Sequence, residues 1–334
     1  MSELNMVKTK KKHKTIRLIK SWLRTFNGGL SLFCLIILFC IPLLTQSLYY
    51  LGIFIVAAIF AIFAASWNFL TGFTGQVSFG HAIFLGIGGY ATAIFVRFQD
   101  WHWAPALLIG GIAALLIAIL VGIPSLRIKG PYLALATMAL SVFIMQLFIN
   151  EKLAFILFGE PGIDRVPPIS TDPVEKYLVY TIIMVISIIV MTLIGESKVG
   201  TIFKSIREDE TGAEASGINV TKYKIWAFMI SGFFAGIAGG LFAMHFRNTT
   251  PMMFQPLYSF YAIIMTAIGG IAIISGSALG AYIFFILEAF LIDLWDPVFI
   301  FSIILIIILR FATRGLLRPA LERLKESYDF IIGR

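Results

Sequence analysis

The chain has 334 residues, of which 59% are hydrophobic and only 13% are Asp, Glu, Lys or Arg, and its mean hydropathy is +0.92. This composition excludes a water-soluble globule, and the apolar runs are too long and too uninterrupted for barrel strands, so membrane-spanning helices remain as the building element. The net charge of +8 does not point to nucleic acid, because the basic residues flank apolar spans instead of interleaving with exposed aromatics.

The first 29 residues form a basic lead with no small-residue cleavage site after the apolar run that follows, and they read as a retained cytoplasmic segment. Apolar segments of spanning length then fall at about 30–47, 51–70, 78–96, 104–124, 131–149, 177–195, 225–245, 257–274, 278–294 and 298–311. The expected fold is an all-α polytopic bundle of about ten transmembrane helices within 30–313. One or two of them, interrupted by Gly, are expected to be re-entrant or broken. Residues 314–334 form a basic tail. Cys34 and Cys40 share the first apolar run, where helical rise separates them by about 9 Å, too far for a disulfide.

Charge sets the expected orientation. Ten crossings put both termini on one side. With them go Arg127, Lys129, and Lys198, Lys204, Arg207, Lys222 and Lys224 of the 196–224 loop. Of the 26 Lys and Arg, only Arg97, Lys152, Arg165, Lys176 and Arg247 fall on the other side. The asymmetry places both termini and the 196–224 loop in the cytoplasm. The loop at about 150–176 is then external, mildly acidic and stiffened by Pro161, Pro167, Pro168 and Pro173; it reads equally as a partner contact or a solvated connector.

Two glycine-rich stretches interrupt the spans. Residues 64–93 carry Gly72, Gly75, Gly80, Gly86, Gly88 and Gly89 with Asn68, Gln76, Ser78 and His81 among them. Irregular backbone at membrane depth is tolerated only inside protein or along a water-filled cavity. The stretch is therefore either a wall of a translocation path or a close helix contact. Residues 267–281, with Gly269 and Gly270, share this texture. Ionisable groups at depth are scarce; Glu288 is the clearest acid within a span, and it would be the coupling residue of an ion-driven transporter.

The 200–218 stretch, GTIFKSIREDETGAEASGI, reads as one amphipathic helix. Ile202, Phe203, Ile206 and Ala213 fall on one side, and Lys204, Arg207, Glu208, Glu210 and Glu214 largely on the other, with Gly217 as the stop. Such a helix, held between spans, is suited to receive force from a soluble partner. The chain has no phosphate-cradling Gly-x-x-x-x-Gly-Lys-Ser/Thr loop and no recognisable nucleophile–base pair or metal cluster; Ser78 and His81 lie three apart without a third group. No catalytic residue, cofactor or metal is expected on this chain.

The stretches GFTGQVSFGHAIFLGIGGYATA, LRIKGPYLALATMALS (126–141), SIREDETGAEASGINVTKYKIWAFMISGFFAGIAGGLFA (205–243), GGIAIISGSALGA and RGLL (314–317) resemble, in this order, the permease subunits of branched-chain amino acid ABC importers. The larger of their two permease types is the better match, and urea-type importers share much of the pattern. The resemblance implies a bacterial or archaeal cytoplasmic-membrane permease in a homo- or heterodimer with a second permease, two cytoplasmic ATPase subunits that hold ATP and magnesium, and an extracytoplasmic solute-binding protein. It also implies that Arg207-Glu208-Asp209-Glu210 to Gly217 is the helix that docks on the ATPase, with Ile202, Phe203 and Ile206 supplying buried contact. Three departures stand out: the family usually has Gly near Ala272 and Pro at Ser277, its tail usually reads Phe-x-Pro-x-Gly where Thr313 precedes Arg314 here, and Pro131 replaces a bulkier apolar residue.

Overall fold

A computed structural model of the chain describes residues 38–42, 45, 47–125, 128 and 130–291. Of the expected elements, the basic lead 1–29, most of the first span, the last span at 298–311 and the tail lie outside these residues, as do Arg127 and Lys129. Residues 38–42 are helical.

From residue 48 onward the bundle is built of α1 (Leu48–Thr74), α2 (Ala82–Phe98), α3 (Trp103–Ser125), α4 (Pro131–Ile149), α5 (Ala154–Leu157), α6 (Pro173–Glu196), α7 (Lys198–Glu208), α8 (Glu210–Ala215), α9 (Val220–Phe246), α10 (Pro256–Gly269) and α11 (Ile274–Leu291). Among the described residues, α1, α3, α4, α6 and α9 are long and apolar enough to cross a membrane. Helices α10 and α11 meet at a bend of 110° and together pass the same test as one broken or re-entrant unit. Thus the spans expected at 257–274 and 278–294 are the two arms of a bent pair. The span expected at 78–96 begins only at Ala82, because residues 75–81 run as irregular chain.

Helix α9 sits at the centre, packed on α3, α2 and α1, while α11 lies along α1. Small residues allow this: a side chain at Gly88 would run into the backbone of Gly236, and one at Gly236 into Ala114. Outward, α3 shows Leu108, Ile112, Leu116 and Leu120 as an exposed apolar stripe, as a lipid-facing helix does. The all-α expectation needs one small amendment. A two-stranded ribbon pairs β1 (Ile163–Asp164) antiparallel with β2 (Asn248–Thr249). It ties the 150–172 connection to the chain leaving α9. Since α6 runs from this ribbon to α7 and α9 returns to it, the 150–176 and 196–224 loops lie at opposite ends of the bundle.

Candidate functional site

The 198–218 region folds as two helices, not the single one expected. The helical ladder reaches Asp209, whose N–H donates to the Ser205 carbonyl at 3.1 Å, and then breaks: Asp209 is extended, with φ −151° and ψ 104°. Its carboxylate accepts the Thr211 hydroxyl at 2.6 Å, a local bond that competes with helix continuation and holds the Asp209 carboxyl below the usual carboxylate range. The chain restarts as α8, ends at Ala215, and Gly217 takes φ +82° while Ile218 N–H bonds back to the Ala213 carbonyl at 3.1 Å, a left-handed stop. The kink folds Ala213 onto Ile206 and Val220, with Ile202, Ile218 and Tyr223 around them.

The elbow so formed is tied into the bundle at two points. The last carbonyls of α1 have no partner within their own helix. Gly75, at φ +73°, turns its N–H back onto the Thr71 carbonyl at 2.9 Å, and Arg207 donates its guanidinium to the Gly72 carbonyl at 2.5 Å, a cation at a helix C-terminus. Beside this bond Phe203 is fully buried with its ring 5.8 Å from Phe69 of α1. On the other arm, Glu210 pairs with Lys224 of α9 at 2.8 Å, the Lys side chain being 10% exposed and the Glu 37%.

These contacts redistribute the expected roles. Phe203 and Ile206, offered by the sequence as buried contact for a partner, are already buried against this chain's own α1, α8 and α9; Ile202 is half-buried. Arg207 and Glu210 are internal ties. Glu208, Asp209, Glu214 and Gly217 are exposed, and so are Lys198, Lys204 and Lys222. The surface left free therefore carries both signs, with Glu208, Asp209 and Glu214 as its acidic edge.

Of the residues proposed for a path, Gly75 is exposed, while Asn68, Gln76, Ser78, Gly80, His81, Gly269 and Gly270 are enclosed by protein. The irregular 75–81 segment survives there because side chains take over the missing backbone bonds. Trp67 Nε1–H donates to the Ser78 carbonyl at 2.7 Å, Thr71 to the Gln76 carbonyl at 3.1 Å, and Phe79 N–H and Ala82 N–H donate to Thr137 and Ser259 at 3.1 and 2.9 Å. Gly80 packs on the Thr137 carbonyl with no room for a side chain. His81, fully buried between Phe63 and Phe84, meets Ser66 Oγ at 2.9 Å. The hydroxyl proton of Ser66 is used on the Phe63 carbonyl at 2.7 Å, so the imidazole Nε2–H is the donor. The histidine's partner is therefore Ser66 on α1, sealed from solvent, and Ser78 contributes only its carbonyl.

Asn68 is the most heavily engaged of the set. Its Oδ1 accepts Ala272 N–H at 2.8 Å, and its Nδ2 lies 2.7 Å from Ser277 Oγ, 3.0 Å from the Ile273 carbonyl and 3.3 Å from the Gly270 carbonyl. It thus clamps the break between α10 and α11. One turn earlier the Ala64 carbonyl accepts the Thr266 hydroxyl at 3.3 Å. Ala64, Asn68 and Gly72 share one face of α1 at four-residue spacing. That spacing was the available signal for a clamp, and the partners, distant in sequence, were not. Ala272 itself sits at φ +65°, a left-handed conformation that favours glycine. Glu288 is half-buried on α11.

Residues 49–312 match the family model described as the branched-chain amino acid transport system permease component. The chain is 26% identical over 241 residues to the high-affinity branched-chain amino acid transport system permease protein LivM of Salmonella typhimurium and 27% identical over the same length to LivM of Escherichia coli. In each case 64% of this chain is covered, and it spans 56% of the relative. The nucleoside ABC transporter permease protein NupC of Lactococcus lactis is 27% identical over 130 residues, covering 35% of this chain and 38% of NupC. No solved structure matches the chain.

Proposed function

The chain belongs to the family of branched-chain amino acid transport permease components, and from that membership we propose that it forms part of the translocation path of an ATP-driven importer for branched-chain or related amino acids. In this reading it sits in a bacterial or archaeal cytoplasmic membrane beside a second permease, receives solute from an extracytoplasmic binding protein, and leaves hydrolysis of ATP to two cytoplasmic ATPase subunits. The similarity to a nucleoside permease keeps other small solutes in the same scheme.

The observation that carries the reading is the elbow α7–α8. It is bound to α1 by Arg207 and to α9 by Lys224, yet presents Glu208, Asp209 and Glu214 outward. A body tied to the bundle by its inner face and free on its outer one converts a push from a docked subunit into displacement of α1 and α9. In this reading the buried contacts that the sequence offered to the ATPase serve instead as the lever's attachment, and steering comes from the acidic edge.

The test is uptake by membrane vesicles holding the complex. Leucine, isoleucine, valine and a nucleoside are offered with and without ATP, and again with an uncoupler present. Uptake lost on ATP depletion and indifferent to the uncoupler is expected. Uptake that survives without ATP and collapses with the proton gradient would instead make Glu288 the residue to pursue.

A further inference from the structure

Asn68 and Gly72 lie one turn apart on α1, and that turn is gripped from two directions. From the elbow come the Arg207 guanidinium on the Gly72 carbonyl and the Phe203 ring on Phe69 between them. From the bent pair comes the turn 270–273, whose Ala272 N–H donates to Asn68 Oδ1. Its 270 and 273 carbonyls, which already accept Ile273 N–H and Ser277 N–H, also lie against Asn68 Nδ2. The two grips are sterically matched. A side chain at position 72 would lie 2.7 Å from the Ala272 nitrogen and would also collide with Asn68 Oδ1. Only a bare backbone there lets Asn68 and the break close on the same turn.

We propose that Asn68 is a positioning residue for transport: it makes the α10–α11 break travel with α1, so that the turn Asn68–Gly72 carries displacement of the elbow to α10 and α11, beside the packing of α11 along α1 and the Thr266–Ala64 bond. This rests on the reading of the chain as an ATP-driven permease. The physical basis is the price of letting go. The 270 and 273 carbonyls also accept Ile273 N–H and Ser277 N–H within the break, so what a slip relative to α1 would strand is the fully buried Asn68 amide. It would lose Ala272 N–H and its acceptors, and an unsatisfied buried amide costs more than its bonds contribute. The break therefore follows α1 as a rigid attachment, and the 110° bend makes α10 and α11 move as arms of one angle.

The experiment uses the complete complex purified through this chain, with Cys34 and Cys40 replaced by alanine and spin labels at two pairs of exposed sites. Thr201 with Leu116 reports α7 against α3, and Ile283 with Leu116 reports α11 against α3. In the wild type both distances are expected to change on adding ATP with vanadate. In Asn68→Leu the first change persists and the second shrinks, while solute moved per ATP hydrolysed falls roughly five- to tenfold. Ser277→Ala, which removes one of the amide's acceptors, shows an intermediate loss and serves as the deciding variant if Asn68→Leu does not accumulate. An α11 response equal to wild type in whichever variant is obtained overturns the clamp. No nucleotide response of the α7 pair in the wild type overturns the importer reading itself, which separates the two failures.

Discussion

Arg207 donates its guanidinium to the carbonyl of Gly72, joining the last turn of α7 to the last turn of α1 across 135 residues of sequence. The bond satisfies one of the orphan carbonyls at a helix end with a positive charge placed where the helix dipole is negative. Only the guanidinium head is needed for this, so the head is what a test should remove. Arg207→Met keeps much of the stem that lies against Gly75 and deletes the donor. The expected loss is about 1 kcal/mol, less than a fully buried charged hydrogen bond because the side chain is largely exposed. Amides of 199–208 should then exchange roughly fivefold faster while those of α9 do not change. Arg207→Lys should restore part of the protection, since one ammonium can reach one carbonyl. Unaltered exchange in Arg207→Met would mean that Phe203, the Glu210–Lys224 pair and the Ile206–Ala213–Val220 cluster hold the elbow without it.

The Lys224–Glu210 pair should respond asymmetrically to removal of its partners. Glu210→Gln strands an ammonium that is 10% exposed, whereas Lys224→Met leaves a carboxylate that is 37% exposed and can turn to water. Breaking a buried pair at one end costs about 3–5 kcal/mol, and the exposure of Glu210 reduces this to about 1–2 kcal/mol for Glu210→Gln. Lys224→Met should cost about 1 kcal/mol or less. Thermal unfolding in detergent reads the difference; equal midpoints for the two variants would show that the pair is solvated.

What could be read in the chain, and what could not, divides along the range of the interaction. Spans at 104–124, 131–149 and 225–245 were legible because length and apolarity are local, and α3, α4 and α9 follow them within a few residues. The stop at Gly217 was legible because a left-handed residue after a helix is a local demand. The kink at Asp209 was missed because amphipathic spacing continues straight through it; a carboxylate with a hydroxyl two residues on was the sign. Asn68 and His81 stood out as polar residues in apolar surroundings, but a single sequence does not show whether such groups face solute or protein. Their partners in this structure, Ala272, Ser277 and Ser66, lie well away in sequence and could not be read from spacing. Long-range contacts likewise bury Phe203 against α1 and tie the exposed Arg207 to the Gly72 carbonyl.

Ala272 offers a test in the stabilising direction. It holds φ +65° in the break that Asn68 clamps, a conformation that costs an L-residue roughly 1–2 kcal/mol relative to glycine. Ala272→Gly should therefore raise the thermal midpoint by the equivalent of about 1 kcal/mol, part of the relief being offset by the greater freedom of glycine when unfolded. A fall in the midpoint would indicate that the methyl group's own contacts outweigh the backbone strain.

Gly80 and Gly88 would line a path only if they had space beside them, and each instead lies against backbone, of Thr137 and Gly236 respectively. Gly80→Val and Gly88→Val should thus lower the amount of folded protein extracted from membranes by severalfold, since overpacking a close contact costs about 1–3 kcal/mol. Gly75→Val is exposed and should accumulate better, its penalty coming from the left-handed backbone. If Gly88→Val accumulates normally and uptake alone is blocked, α2 and α9 separate during transport and the contact seen here belongs to one state of the cycle.

If the elbow meets its ATPase by the acidic edge, the contact should behave as an electrostatic one. Glu208, Asp209 and Glu214 are exposed and have their charges outward, whereas Arg207 and Glu210 are engaged within the chain. Charge reversal at Arg207 or Glu210 would therefore unseat the elbow and say little about docking. Reversal at Glu208 and Glu214 leaves every described tie in place. The double variant Glu208→Lys with Glu214→Lys should retain the wild-type thermal midpoint yet carry roughly tenfold less ATPase through purification at low ionic strength, with the wild type approaching it as salt is raised toward 1 M, where charges more than a few ångströms apart are screened. Acid should affect Asp209 late. Because the Thr211 hydroxyl holds its carboxyl below the usual range, its charge persists as pH falls through ordinary carboxylate values and is lost only below them, so any contribution it makes to docking survives at mildly acidic pH. Co-purification that ignores both the reversals and the salt would place the docking contact elsewhere, with half-buried Ile202 and the neighbouring exposed Thr201 the next surface to probe.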